Sequence, residues 1–150
     1  MDAKWDGRFL EMAALVSTWS KDPSTKVGAI AVDPEDRTIL ATGYNGFPKG
    51  IDDSSLRLNN REEKYKYVVH AEMNMIYNAG KIGSSLKGSY VYVWGLPICS
   101  QCALGIVQSG VSQIILPTYM TIDEKWAKSW ELSESIFFEA GIQIVRRNCR

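Results

Sequence analysis

The chain contains a single histidine, His70, two residues ahead of Glu72, and the only close pair among its three cysteines is Cys99-Ser100-Gln101-Cys102. A fold that uses these residues together must bring two distant segments to one point. Each segment opens a helical pattern: 70–79 repeats at helical spacing, and 103–108 reads as a helix closed by Gly110 at a C-cap position. Cysteines at i and i+3 of a helix start face one side, where the positive end of the helix dipole favours thiolates. His70 and Glu72, at i and i+2, point in nearly opposite directions on a regular helix. Both can face one cavity only if His70 sits at the first turn, where the backbone is not yet helical.

The rest of the pattern says what could carry those two helices. Trp5, Phe9, Met12, Ala13, Leu15, Val16 and Trp19 recur at helical spacing over 5–20. Residues 27–32 and 38–44 read as strands joined by the turn Asp33-Pro34-Glu35-Asp36-Arg37. Residues 45–50 are loop, and 51–66 are polar, expected to be irregular or a short helix. Strands are predicted at 89–94, 111–116 and 142–145, with a helix over 123–140 ended by Gly141. The order α-β-β-α-β-α-β-α-β predicts an α/β fold: a mixed five-stranded sheet, partly parallel, covered on both faces. No linker or repeat interrupts it, so residues 1–150 read as a single domain.

Charge narrows the function classes. Lys plus Arg is 17 and Asp plus Glu is 17, a balance that disfavours a grip on long nucleic acid but allows the few local cations that a mononucleotide needs. The first 20 residues carry charges throughout, and no apolar run reaches the roughly 18 residues of a membrane span. An odd number of cysteines is no disulfide framework, so a reducing cytoplasm is expected, or host cytoplasm if the protein is viral. The tryptophans and phenylalanines of the first and last helices (Trp5, Trp19, Trp126, Trp130, Phe137, Phe138) are many for a small core. Some are expected to face partner subunits.

One imidazole and two thiolates suit zinc and leave its fourth position to water. In that arrangement Glu72 is a proton shuttle rather than a ligand, and H-x-E with a downstream C-x-x-C is the pattern of zinc deaminases that act on bases. Other readings compete. A thioredoxin-like redox pair would want an early strand before the C-x-x-C and leaves His70-Ala71-Glu72 without a role. A structural zinc site would need a fourth ligand, and Cys149, otherwise a bystander, is the only spare thiol.

At these residues the sequence resembles the cytidine and deoxycytidylate deaminase family, and within it the deoxycytidylate branch. The matching stretches are SKDPSTKVGAIAVDP (20–34), TGYNGFPKGIDD (42–53), KYKYVVHAEMNMI (64–76) and CSQCALGIVQSGV (99–111). The resemblance implies a three-layer α/β/α sandwich of the cytidine deaminase-like kind. It implies one Zn²⁺ held by His70, Cys99 and Cys102, with Glu72 as general acid and base. The implied reaction is hydrolysis of dCMP to dUMP and ammonia, supplying dUMP for thymidylate synthesis. Ser24, Thr25 and Lys26 match the segment near the nucleotide phosphate, and Asn45 matches the residue that holds the sugar hydroxyl. Ala71 lies on the substrate side, and Tyr119 is expected to close over the pocket or simply to pack. Asn45, Gly46, Phe47, Lys49 and Gly50 resemble part of an effector site for dCTP as activator and dTTP as inhibitor, with Mg²⁺ accompanying the triphosphate; a plain flexible loop is the alternative. A homo-oligomer, a hexamer by preference, is also implied. The chain departs from the family pattern once. The pattern has proline directly before the first cysteine, whereas this chain has Pro97-Ile98-Cys99, preceded by Trp94-Gly95-Leu96, which puts substrate preference rather than metal binding in question. The remaining functional readings are deamination of a nucleoside, a free base or a polynucleotide base, and a non-catalytic zinc-binding module.

Overall fold

The structure, a computed structural model, describes residues 1–149. The elements are α1 (Ala3–Ser17), β1 (Gly28–Val32), β2 (Ile39–Tyr44), α2 (Ser55–Asn59), α3 (Arg61–Tyr67), α4 (Ala71–Ile82), β3 (Tyr90–Trp94), α5 (Ser100–Gln108), β4 (Gln113–Pro117), α6 (Glu124–Glu139) and β5 (Gln143–Arg147). The sheet order is β2-β1-β3-β4-β5. β1 is antiparallel to both β2 and β3, whereas β3, β4 and β5 run parallel. The expected mixed five-stranded sheet is present.

Strand alternation builds the three layers. Ile30 and Val32 of β1, Tyr92 of β3 and Ile115 of β4 point to one face, where Phe9, Leu10, Ala13 and Val16 of α1 cover them. Their neighbours Ala29, Ala31, Val91, Val93, Ile114 and Leu116 point to the other face, against Met75 and Ala79 of α4, Cys102 and Ile106 of α5, and Trp130 and Phe137 of α6. Side chains two apart share a face, so each strand feeds two cores. Small residues let α4 come close. A side chain at Gly43 would overlap the backbone of Ala71 and Met75. Asn74 and Asn78, one turn apart on α4, donate to the carbonyls of Tyr44 and Thr42, each at 2.8 Å.

Several boundaries differ from those read in the sequence. α1 stops at Ser17 because the chain turns at 18–20 with i→i−3 bonds, before Pro23 is reached. α4 runs past Gly80 and ends at Gly83, whose φ of 70° makes the left-handed cap. Residues 51–66 hold not one short helix but α2 and the start of α3, capped between them by Asn60, whose side chain accepts from Glu63 N–H. Trp130 and Phe137 are core, Trp5 and Trp126 are half-buried, and Trp19 and Phe138 are exposed. No helix among the described residues is long and apolar enough to cross a membrane.

Register decides where a site can form. Gly28 pairs with Tyr44 on one side and with Trp94 on the other. The entry to β1 therefore lies beside the exits of β2 and β3, and residues 22–27, 45 and 96–99 meet at one sheet end. Because α4 reaches that end only by packing on Gly43, the G43A variant is expected to lose at least about 1–3 kcal/mol of stability from overpacking, read as a lowered urea midpoint; an unchanged midpoint would contradict this close approach.

Candidate active site

Two helix starts converge at that sheet end. His70 is the N-cap of α4 (φ −68°, ψ 155°) and Cys99 is the N-cap of α5 (φ −72°, ψ 160°). Extended backbone at both caps removes the directional conflict between i and i+2: His70 turns sideways, while Glu72 in the first turn faces the same cavity. His70 Nδ1 lies 3.3 Å from Cys99 Sγ and 3.4 Å from Cys102 Sγ. All three ligand atoms fall within 4.8 Å of one another. A tetrahedral zinc, with Zn–S near 2.3 Å and Zn–N near 2.0–2.1 Å, needs N···S separations of about 3.5 Å. The donor set fits zinc in chemistry and in spacing.

Protonation follows from this crowding. Hydrogen bonding from Cys102 and from His70 pulls the Cys99 thiol down to about 4, against the opposing effect of burial. Cys102 is pushed up, first by its hydrogen bond to Cys99 and then by burial. The two sulfurs thus share one proton, which a divalent cation would release, since thiolate ligands bind deprotonated. His70 is raised, chiefly by its hydrogen bond with Cys99. Glu72, 4% exposed, is pushed up to about 7 by burial, partly offset by His70.

These groups line a cavity of about 210 Å³ whose wall also includes Asp22, Ser24, Thr25, Asn45, Ala71, Leu96 and Pro97. The structure thus brings together His70, Cys99, Glu72, Ala71, Asn45, Ser24 and Thr25, with Cys102 behind them. Asn45 is buried. Its Nδ2 donates to Thr25 O and its Oδ1 accepts from Val27 N–H, both at 2.9 Å.

Other expected site residues lie elsewhere. Lys26 is not on the cavity wall; its ammonium is tied to the Ser20 carbonyl. Tyr119 is 90% exposed and also off the wall. Gly46, Phe47, Lys49 and Gly50 form a loop outside the cavity. Gly46 pairs with Val69 through two backbone bonds of 3.1 and 2.8 Å, and the Phe47 ring packs tilted against Tyr67 with centroids 5.7 Å apart.

The cations on the wall are instead Arg61 and Lys64, with Tyr65 beside them. Lys64 is only 6% exposed and pairs with Asp22 at 3.2 Å. That carboxylate also accepts from the backbone of Ser24 and Thr25 at 2.8 and 3.1 Å. Arg61 and Lys125 both donate to the Tyr65 hydroxyl, at 3.0 and 2.9 Å, which ties α3 to the start of α6. The sequence held a signal for this face: residues 61, 64 and 65 have i, i+3, i+4 spacing.

Comparison with known proteins bears on this site. Residues 3–118 match the family described as "Cytidine and deoxycytidylate deaminase zinc-binding region". The chain is 38% identical over 147 residues to a protein of Aliivibrio fischeri described as an uncharacterized deaminase in the luxG 3′ region, covering 97% of this chain and 95% of that one. It is 39% identical over 117 residues to the deoxycytidylate deaminase of Homo sapiens, covering 75% of this chain and 64% of the human protein. The fold superposes on the crystal structure of the dCMP deaminase from cyanophage S-TIM5 in apo form with a TM-score of 0.76 and 25% identity, covering 97% and 99% of the two chains.

Burial of Glu72 has a measurable sign. A carboxyl raised from 4.5 to about 7 in the folded protein contributes no penalty below pH 4.5, and progressively destabilises the fold as pH rises to 7. With metal removed by chelator, the E72Q variant is therefore expected to exceed the parent by roughly 2–3 kcal/mol above pH 7, with the gap closing near pH 4. Urea titrations at both pH values measure it; a pH-independent difference would contradict the assignment.

Proposed function

The chain belongs to the cytidine and deoxycytidylate deaminase family, and from that premise we propose that it hydrolyses dCMP to dUMP and ammonia as a single domain, with zinc held by His70, Cys99 and Cys102. The observation that carries this reading is the buried Glu72 carboxyl, set beside three converging ligand atoms on one cavity.

Bound there, zinc supplies a Lewis acid that brings the pKa of water toward neutrality. Glu72 takes a proton from the water that attacks C4 of the cytosine ring and hands it to N3. It then takes the remaining hydroxyl proton and delivers it to the departing amino group. The C4–O bond forms, the C4–N bond breaks, and ammonia leaves. Burial raises the affinity of the Glu72 carboxyl for a proton, which suits a group that must hold one and pass it on. Asn45, at the exit of β2, is poised for the sugar hydroxyl, with Ala71 against the base. Ser24 and Thr25, with Arg61 and Lys64 on the same cavity wall, suit a 5′-phosphate. Lys26 and Tyr119 are left without a direct contact in this reading.

Regulation by dCTP and dTTP, with Mg²⁺ on the triphosphate, belongs to the loop Asn45, Gly46, Phe47, Lys49 and Gly50. The Gly46–Val69 pairing gives it a route to the centre, since Val69 directly precedes His70. Assembly into a homo-oligomer, a hexamer by preference, is supported by exposed Tyr77, Ile82 and Leu104 on α4 and α5 and Phe138 on α6.

Ammonia release from dCMP, CMP and deoxycytidine tests the proposal. dCMP is expected to be the best substrate by kcat/KM, and equal turnover of deoxycytidine would reject the phosphate role. E72A is expected to lower kcat by about 10²–10⁴ with zinc content unchanged; full activity would reject the mechanism. R61A is expected to raise KM for dCMP by about tenfold, the loss of one charge-assisted contact, and to leave deoxycytidine unaffected. Equal effects on both substrates would remove Arg61 from the phosphate site.

A further inference from the structure

The residue that interrupts the Pro-Cys pairing, Ile98, is not a slack insertion. Leu96, Pro97 and Cys99 face the cavity, but the Ile98 side chain is fully buried in the core beneath. Its carbonyl accepts a hydrogen bond of 2.7 Å from the hydroxyl of Ser133, itself fully buried on α6. One turn earlier on α6, Ser129 Oγ accepts the backbone N–H of Ser100 at 2.9 Å. That N–H is one of the first-turn amides for which α5 itself offers no acceptor.

The geometry matters because of what lies between the two contacts. The Ile98 carbonyl belongs to the peptide unit before the Cys99 Cα, and the Ser100 N–H to the unit after it. Pinning both units fixes φ and ψ of Cys99, and with them the direction of its Cα–Cβ bond. Ser133 has one hydroxyl proton and two carbonyls in reach, Ile98 at 2.7 Å and Ser129 at 3.0 Å. The back-bond to its own helix is the ordinary habit of a helical serine, and the shorter contact reaches across to the cysteine loop. Both serines lie beyond the stretch that matches the family, residues 3–118.

We propose that Ser129 and Ser133 form a bracket on α6 that positions Cys99 for the metal, holding the loop that carries the extra residue Ile98. They are positioning residues: neither touches the cavity. The inference rests on the zinc reading above and concerns how tightly and in what geometry the ion is held. Groups that orient a metal ligand without touching the metal typically change affinity by 10–100-fold when removed.

The test uses the full-length chain. Zinc affinity is measured by competition with a chromophoric chelator for the parent, S129A, S133A, the double variant and S133T. The visible spectrum of the cobalt-substituted proteins reports coordination geometry. S129A and S133A are each expected to weaken zinc binding by about tenfold or more and to alter the cobalt bands, with S133T, which keeps the hydroxyl, restoring both. Thermal denaturation in chelator separates folding from metal binding: zinc affinity must fall by more than metal-free stability predicts. If S129A and S133A bind zinc within twofold of the parent with unchanged cobalt spectra, the bracket is overturned while the deaminase reading stands. If the parent itself takes up no zinc, both fall.

Discussion

Three ligand atoms from two helix starts converge, one nitrogen lying within hydrogen-bonding distance of both sulfurs and all three within 4.8 Å of one another. Cysteine binds a metal as thiolate, so a cation held there would displace the proton that the two sulfurs share. The rest of the molecule makes that cluster possible. β1 enters the sheet between the exits of β2 and β3, so the loops that hold His70 and Cys99 open on one end. Gly43 and the alanines of β1 let α4 lie close enough for its first turn to reach that end. The second helix start is held from behind by α6.

Burial of charge is the recurring cost at this end of the molecule, and each instance is offset differently. Glu72 rises in pKa because its carboxylate loses water, which turns a liability into a proton carrier. Lys64 pairs with Asp22, whose carboxylate also organises the Ser24–Thr25 turn. Removing one member of such a pair would leave the other unpaired, a far larger loss than the net worth of the pair. The pair therefore couples the shape of the 22–25 turn to the position of α3.

The layered fold was legible because β1, β3 and β4 are short and apolar and the helices carry clear periodicity. His70, Glu72, Cys99 and Cys102 were legible because their spacing makes sense only at helix starts. The cationic wall left only the i, i+3, i+4 spacing of Arg61, Lys64 and Tyr65 as its mark. Lys64 reads as a surface lysine in a polar stretch, and nothing local announces a partner 42 residues away at Asp22. α2 and α3 are too short for hydrophobic periodicity to show, and Asn60, which ends one and caps the next, is the sole local mark. Lys26 has chemistry that suits phosphate, but its ammonium is bonded to the Ser20 carbonyl and the residue is not on the cavity wall. The extra residue before Cys99 was visible as a departure, yet its accommodation depends on α6, remote in sequence.

X-ray absorption at the zinc edge of the purified, zinc-loaded protein tests the metal centre most directly. Two sulfurs near 2.3 Å and two nitrogen or oxygen neighbours near 2.0–2.1 Å, one of them exchangeable, are predicted. A third sulfur, which would bring Cys149 into the shell, or six oxygen neighbours would contradict the open His-Cys-Cys site.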